Sequence, residues 1–105
     1  MNLSPTQQDA LVAAAEVHYR GLRMIAHKRE RFADQPDLLP VPGLEYLSTG
    51  FPYEPSTVRG IDVPGLQWRT LRKLESLGLL EFRERPAGAW YNITKKGLRL
   101  AKQLA

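Results

Sequence analysis

The chain has 105 residues, 43% of them hydrophobic and 25% charged, which fits one globular domain built around one core. Cysteine is absent, so disulfides and thiolate metal sites are excluded, and His18 and His27 are spaced as no pair of metal ligands on one helix face would be. The net charge of +4 is unevenly placed: residues 1–58 hold five Lys/Arg against seven Asp/Glu, a balance of −2, whereas residues 59–105 hold ten against four, a balance of +6.

Ser4-Pro5-Thr6-Gln7 predicts a helix start, with Ser4 and Gln7 able to cap each other and Pro5 in the first turn, where no donor is needed. A stripe of Leu11, Ala15, His18, Leu22, Ile25, Arg29 and Phe32 at alternating spacings of four and three carries the helix to about Ala33. Gly21 interrupts it, so the segment is either one long helix, kinked at most, or two helices meeting there. Such a helix exceeds what one small core can cover. Leu11, Ala15, Leu22 and Ile25 are therefore candidates for a homodimer interface, the alternative being that the proline-rich segment from Pro36 to Pro55 folds back over the helix in a monomer.

Six of the eight prolines fall between residues 34 and 63 and at Pro64, which rules out long regular structure there. Two short helical pieces fit: Gly43 to Ser48, closed by Gly50, and a turn from Ser56 to Gly60 that buries Val58 and Ile61. From Pro64 to Leu77 a firmer helix is expected, capped by Asp62 or Val63 and stopped at Gly78 by a left-handed residue. Its inner face is Leu71 and Leu74; Arg69, Arg72, Lys73 and Ser76 point the other way. Leu80 and Phe82 alternate with Glu81 and Arg83, and Tyr91 and Ile93 with Trp90 and Asn92. Pro86-Ala87-Gly88 lies between the runs, which predicts a two-stranded hairpin. Thr94 caps a last helix whose Leu98, Ala101 and Leu104 close the core. The fold class is α+β, mainly α with a small β-hairpin and a long N-terminal helix.

Leu71-Arg72-Lys73-Leu74-Glu75-Ser76-Leu77-Gly78-Leu79-Leu80-Glu81, followed by Tyr91-Asn92-Ile93-Thr94-Lys95-Lys96-Gly97, resembles the winged helix-turn-helix of MarR- and PadR-type transcriptional regulators over about residues 64–105. The resemblance implies that the helix from Pro64 to Leu77 enters the major groove of double-stranded DNA, that Arg83 to Ala89 form the wing, and that the Thr-x-x-Gly helix packs back or joins a dimer interface. The sequence departs from the family in two places. A proline-rich stretch with Ser56-Thr57-Val58-Arg59-Gly60 stands where a regular second helix is expected, and Gln67 stands where an aliphatic residue is usual, leaving Trp68 or Leu66 to make that contact.

The chemistry of the residues points the same way. Arg, Lys, Gln and Thr donate to phosphates and base edges, and a helix fits the major groove. Gln67, Arg69 and Thr70, near the amino-terminal end, are the expected base readers, with Arg72 and Lys73 on phosphate. Arg83 and Arg85 on the wing, Arg59 before the helix and Lys95 and Lys96 after the hairpin complete the candidate DNA-binding set. The plainer reading is a solvated basic face. Trp90 either stacks at an interface or packs beneath the first helix. No catalytic grouping, phosphate loop or acidic pair is evident, so neither an enzyme, nor a cofactor, nor a small-molecule effector is expected. With no long apolar run and no leader-like start, a cytoplasmic location is expected. A second functional reading, from a different class, is a winged-helix module that binds protein within a larger assembly.

Overall fold

The computed structural model describes residues 2–39, 46–52, 68–85 and 88–104. Helix α1 (Pro5–Arg31) begins as the capping pattern requires: Ser4 Oγ accepts from the Gln7 N–H at 3.2 Å, and the Ser4 N–H donates to Gln7 Oε1 at 3.0 Å. It ends when the Phe32 N–H closes on the Lys28 carbonyl at 2.9 Å. Gly21 does not split it. The glycine is buried, and a Cβ at that position would collide with the Ser48 carbonyl oxygen, so the missing side chain is what lets a second piece of backbone cross the helix.

That second piece is short. A single turn at Pro36–Leu38 follows α1, then a one-turn helix α2 (Tyr46–Thr49) runs directly into strand β1 (Gly50–Pro52). The expected helix from Gly43 to Ser48 is thus displaced in its described part, and Gly50 opens a strand instead of closing a helix. Gly50 is needed there because a Cβ would stand 2.5 Å from the Tyr91 carbonyl and 2.6 Å from Asn92 Nδ2. Residues 43–45 and the turn expected from Ser56 to Gly60, with Val58 and Ile61, lie outside the described residues.

Helix α3 (Trp68–Ser76) is followed by strands β2 (Leu80–Arg85) and β3 (Gly88–Ile93) and by helix α4 (Lys95–Leu104). The predicted start of α3 at Pro64 lies outside the described residues; its end is as expected. Gly78 has φ +75°, its N–H donates to the Glu75 carbonyl and the Leu79 N–H to the Leu74 carbonyl, both at 2.9 Å, which is the Schellman closure that favours glycine. The strands form an antiparallel sheet in the order β1-β3-β2. The expected hairpin is present, with Leu80 paired to Ile93 and Phe82 to Tyr91, and β1 adds an unexpected third strand. Pro52 is compatible with this because β1 lies at the edge, where a missing N–H is tolerated.

The core joins the first half of α1 to everything after residue 70. Ala10, Leu11, Ala14 and Ala15 pack with Leu71 and Leu74 of α3, with Leu79, with Leu80, Tyr91 and Ile93 of the sheet, and with Ala101 of α4. Phe82 is only partly buried, and Leu104, expected to close the core, is 37% exposed at the end of α4. Leu79, which the pattern did not single out, is completely buried because the left-handed turn at Gly78 throws it back onto the helix it follows. The chain is an α+β fold, mainly helical with a small antiparallel sheet. No helix among the described residues is long and apolar enough to cross a membrane.

Candidate nucleic-acid interface

Helix α3 divides its residues sharply. Leu71 and Leu74 are 1% and 0% exposed, whereas Arg69, Arg72 and Lys73 are exposed and Thr70 is half-buried. The division follows from the period of 3.6, since Leu71 and Leu74 lie on one side of the wheel and the three cations on the other. Sequence and structure therefore agree on one cationic helix face, made of Arg69, Arg72 and Lys73 with Thr70 at its margin. Gln67 and Arg59 lie outside the described residues.

What holds this face in place is a joint between the end of α3 and the start of α4. Thr94 Oγ1 accepts from the Gly97 N–H at 3.0 Å, capping α4, and donates to the Gly78 carbonyl at 2.7 Å. The Thr94 N–H donates to the Leu79 carbonyl at 3.0 Å. Gly97 sits so close beneath Leu79 that a Cβ would collide with the Leu79 carbonyl oxygen. Lys96 Nζ donates to the Leu77 carbonyl at 3.1 Å, placing a cation at the carboxy-terminal end of α3, where it meets the negative end of the helix dipole. Lys96, expected to reach DNA, thus has a structural partner. Lys95 is exposed on the first turn of α4.

The hairpin places Arg83 on the outer face of the sheet, across the ladder from Trp90. Its Nη2 donates to Glu81 Oε2 at 3.3 Å, with the Arg83 side chain 34% and the Glu81 side chain 53% exposed. Arg83 is thus engaged with a carboxylate of its own strand, a surface pair of the weakly stabilising kind. For Arg85 the backbone position alone is described, opposite Gly88 at the end of the ladder. Trp90 is half-buried on the same outer face as Arg83. Pro86 and Ala87 lie outside the described residues.

The Tyr91 hydroxyl donates to Glu75 Oε1 at 3.0 Å, tying the sheet to the exposed flank of α3. Arg72, Glu75, Ser76, Phe82 and Tyr91 line an open cleft of about 430 Å³ at that seam. Tyr91 is read from sequence as a core residue, and it is 3% exposed; its hydroxyl needed a partner, and nothing local in the sequence names Glu75, 16 residues away.

The four residues proposed for a homodimer interface separate. Leu11, Ala15 and Ile25 are 0%, 8% and 3% exposed within the single chain, and only Leu22 is open, at 42%. The first half of α1 is covered on a wider arc than the stripe suggested: Ala10 and Ala14 are small enough to let α3, α4 and the sheet approach closely, and Ala13 is buried as well.

Neither a protein-family model, nor a curated protein, nor a solved structure matches this chain.

Proposed function

We propose that the protein is a sequence-specific double-stranded DNA-binding protein, a transcriptional regulator of winged helix-turn-helix type that reads the major groove with α3 and works in the cytoplasm. The observation that carries this reading is the division of α3, whose Leu71 and Leu74 are locked into the core while Arg69, Arg72 and Lys73 stand together on the opposite, exposed face. The nine described residues of α3 span about 14 Å at ~1.5 Å per residue, a length suited to a groove about 12 Å wide. The order of helix, antiparallel hairpin and capped helix matches what the sequence resemblance implies, and the +6 balance of residues 59–105 suits a polyanion.

Base reading falls to Arg69 and Thr70, and phosphate contact to Arg72 and Lys73. Arg83 reaches the backbone from the hairpin on exchanging Glu81 for phosphate. The test is titration of labelled random duplex at low salt. Binding that weakens steeply as salt rises is the expected result. Unaltered duplex at micromolar protein would overturn the reading and favour a module that binds protein through the outer sheet face around Trp90.

A further inference from the structure

The −2 balance of the first 58 residues conceals a second concentration of positive charge. All five of their Lys/Arg, namely Arg20, Arg23, Lys28, Arg29 and Arg31, stand between residue 20 and the end of α1, against Glu30 alone. At 3.6 residues per turn Arg20, Arg23, His27 and Arg31 fall within about 80° of the helix circumference, and all four are exposed. Glu16 marks the amino-terminal limit of this stripe and Glu30 stands at its margin. Leu11 and Ala14, which pack in the core, and Ile25, which is buried, lie on the opposite side of the helix. The stripe therefore points away from the body of the protein. Ile25 is the last buried residue of α1, and every residue from Ala26 to Arg31 is exposed, so the helix ends as an overhang. Its dipole accounts for cations in the last turn but fades within that turn, which leaves Arg20 and Arg23 unexplained.

This stripe and the cationic face of α3 are turned away from each other. Leu11 and Ala14 of α1 share one core with Leu71 and Leu74 of α3, and each helix carries its cations on the side opposite those residues. We propose that the α1 stripe holds the phosphate backbone of a second duplex, so that one chain bridges two DNA segments; the inference rests on the reading of α3 as a DNA-binding helix. Two packed helices set their outer faces roughly 20 Å apart. Duplex DNA is stiff over roughly 150 base pairs, so one stretch cannot turn round so small a body to meet both faces. Charge complementarity names the occupant. From Arg20 to Arg31 the stripe runs about 17 Å at ~1.5 Å per residue, and over that length a duplex presents roughly ten phosphates. A lipid surface suits the stripe less, because a helix lying in one turns apolar residues outward. Here Tyr19, Leu22 and Ala26 stand to one side, and arginines take the outermost positions.

The experiment tethers one random duplex to beads, adds protein at low salt and measures recovery of a second, labelled duplex. Wild type is expected to bind the first and recover the second. Arg20→Gln, Arg23→Gln and Arg31→Gln combined should leave binding of a single duplex in place, since α3 is untouched, and cut recovery of the second on the order of tenfold. Lys at the same three positions keeps the charge and should preserve recovery. All three side chains are exposed, so both variants should melt and sediment as wild type does. Failure of wild type to bind any duplex would overturn the DNA reading and this inference together. Binding of the first duplex without recovery of a second would overturn this inference alone. Undiminished recovery by the Gln variant would also overturn it, and so would a loss of recovery accompanied by a smaller sedimenting species; either assigns the bridge to two α3 faces of a self-associated chain. Stripe-dependent binding of phosphatidylserine vesicles with no second duplex recovered would overturn it in favour of a lipid surface.

Discussion

Single residues in this protein are constrained most where a side chain is missing. Gly97 and Gly21 are helical glycines that propensity alone would disfavour, and each stands where another stretch of backbone passes within contact distance. Gly97→Ala should therefore destabilise, although alanine is the better helix former, because the Leu79 carbonyl must move; a loss of about 1–3 kcal/mol in urea unfolding is expected. An unchanged or raised midpoint would show that α4 can shift freely from Leu79. His18 is constrained differently. Burial on α1 disfavours its charged form and lowers its pKa from 6.5. The unfolded chain thus takes up this proton first as the pH falls, so the stability from a neutral His18 is present above 6.5 and is lost as pH falls through the lower folded value. His18→Gln should flatten the dependence of unfolding free energy on pH in that window, and an identical slope in wild type and variant would contradict it.

Among the elements, legibility follows the distance over which each is determined. The capping box of α1, the stop at Gly78 and the cap at Thr94 are closed by residues a few positions apart, so the sequence displays them. Leu71, Leu74, Leu80, Tyr91 and Ile93 are readable as core from periodicity alone. β1 is not, because nothing in Gly50-Phe51-Pro52 reveals that β3 lies alongside and that Asn92 Nδ2 will donate to Thr49 Oγ1, 43 residues away, at 3.3 Å. The cationic face of α3 is equally readable, whereas its attachments through Lys96 and Tyr91 depend on contacts that local pattern does not carry. Leu74→Ala tests the element most directly: the side chain is fully buried, and its truncation should cost about 2–5 kcal/mol. A smaller loss would mean that α3 is held mainly by the joint at Thr94.

For the whole molecule, the proposed DNA-binding function makes distinct demands on residues of one helix face. Lys73→Gln should weaken binding to specific and random duplex alike and reduce the log–log salt slope by about 0.9. Arg69→Gln should instead cost about 1–3 kcal/mol mainly on the preferred site, shrinking the gap between specific and random DNA. Titrations of both variants at several salt concentrations decide the matter. If each binds every duplex as the wild type does, α3 is not the recognition element.

The joint between α3 and α4 also bears on how the chain reaches this structure. Its bonds from Thr94 to Gly78 and from Lys96 to Leu77 span only 16 and 19 residues, so they close small loops, whereas α1 must be brought back to the core from the far end of the chain. The segment from α3 to α4 is therefore expected to assemble in the rate-limiting step, with α1 docking afterwards. Leu74→Ala should then slow refolding, while Leu11→Ala, equally buried, should chiefly accelerate unfolding. Stopped-flow chevrons of the two variants would show the opposite pattern if α1 docks first.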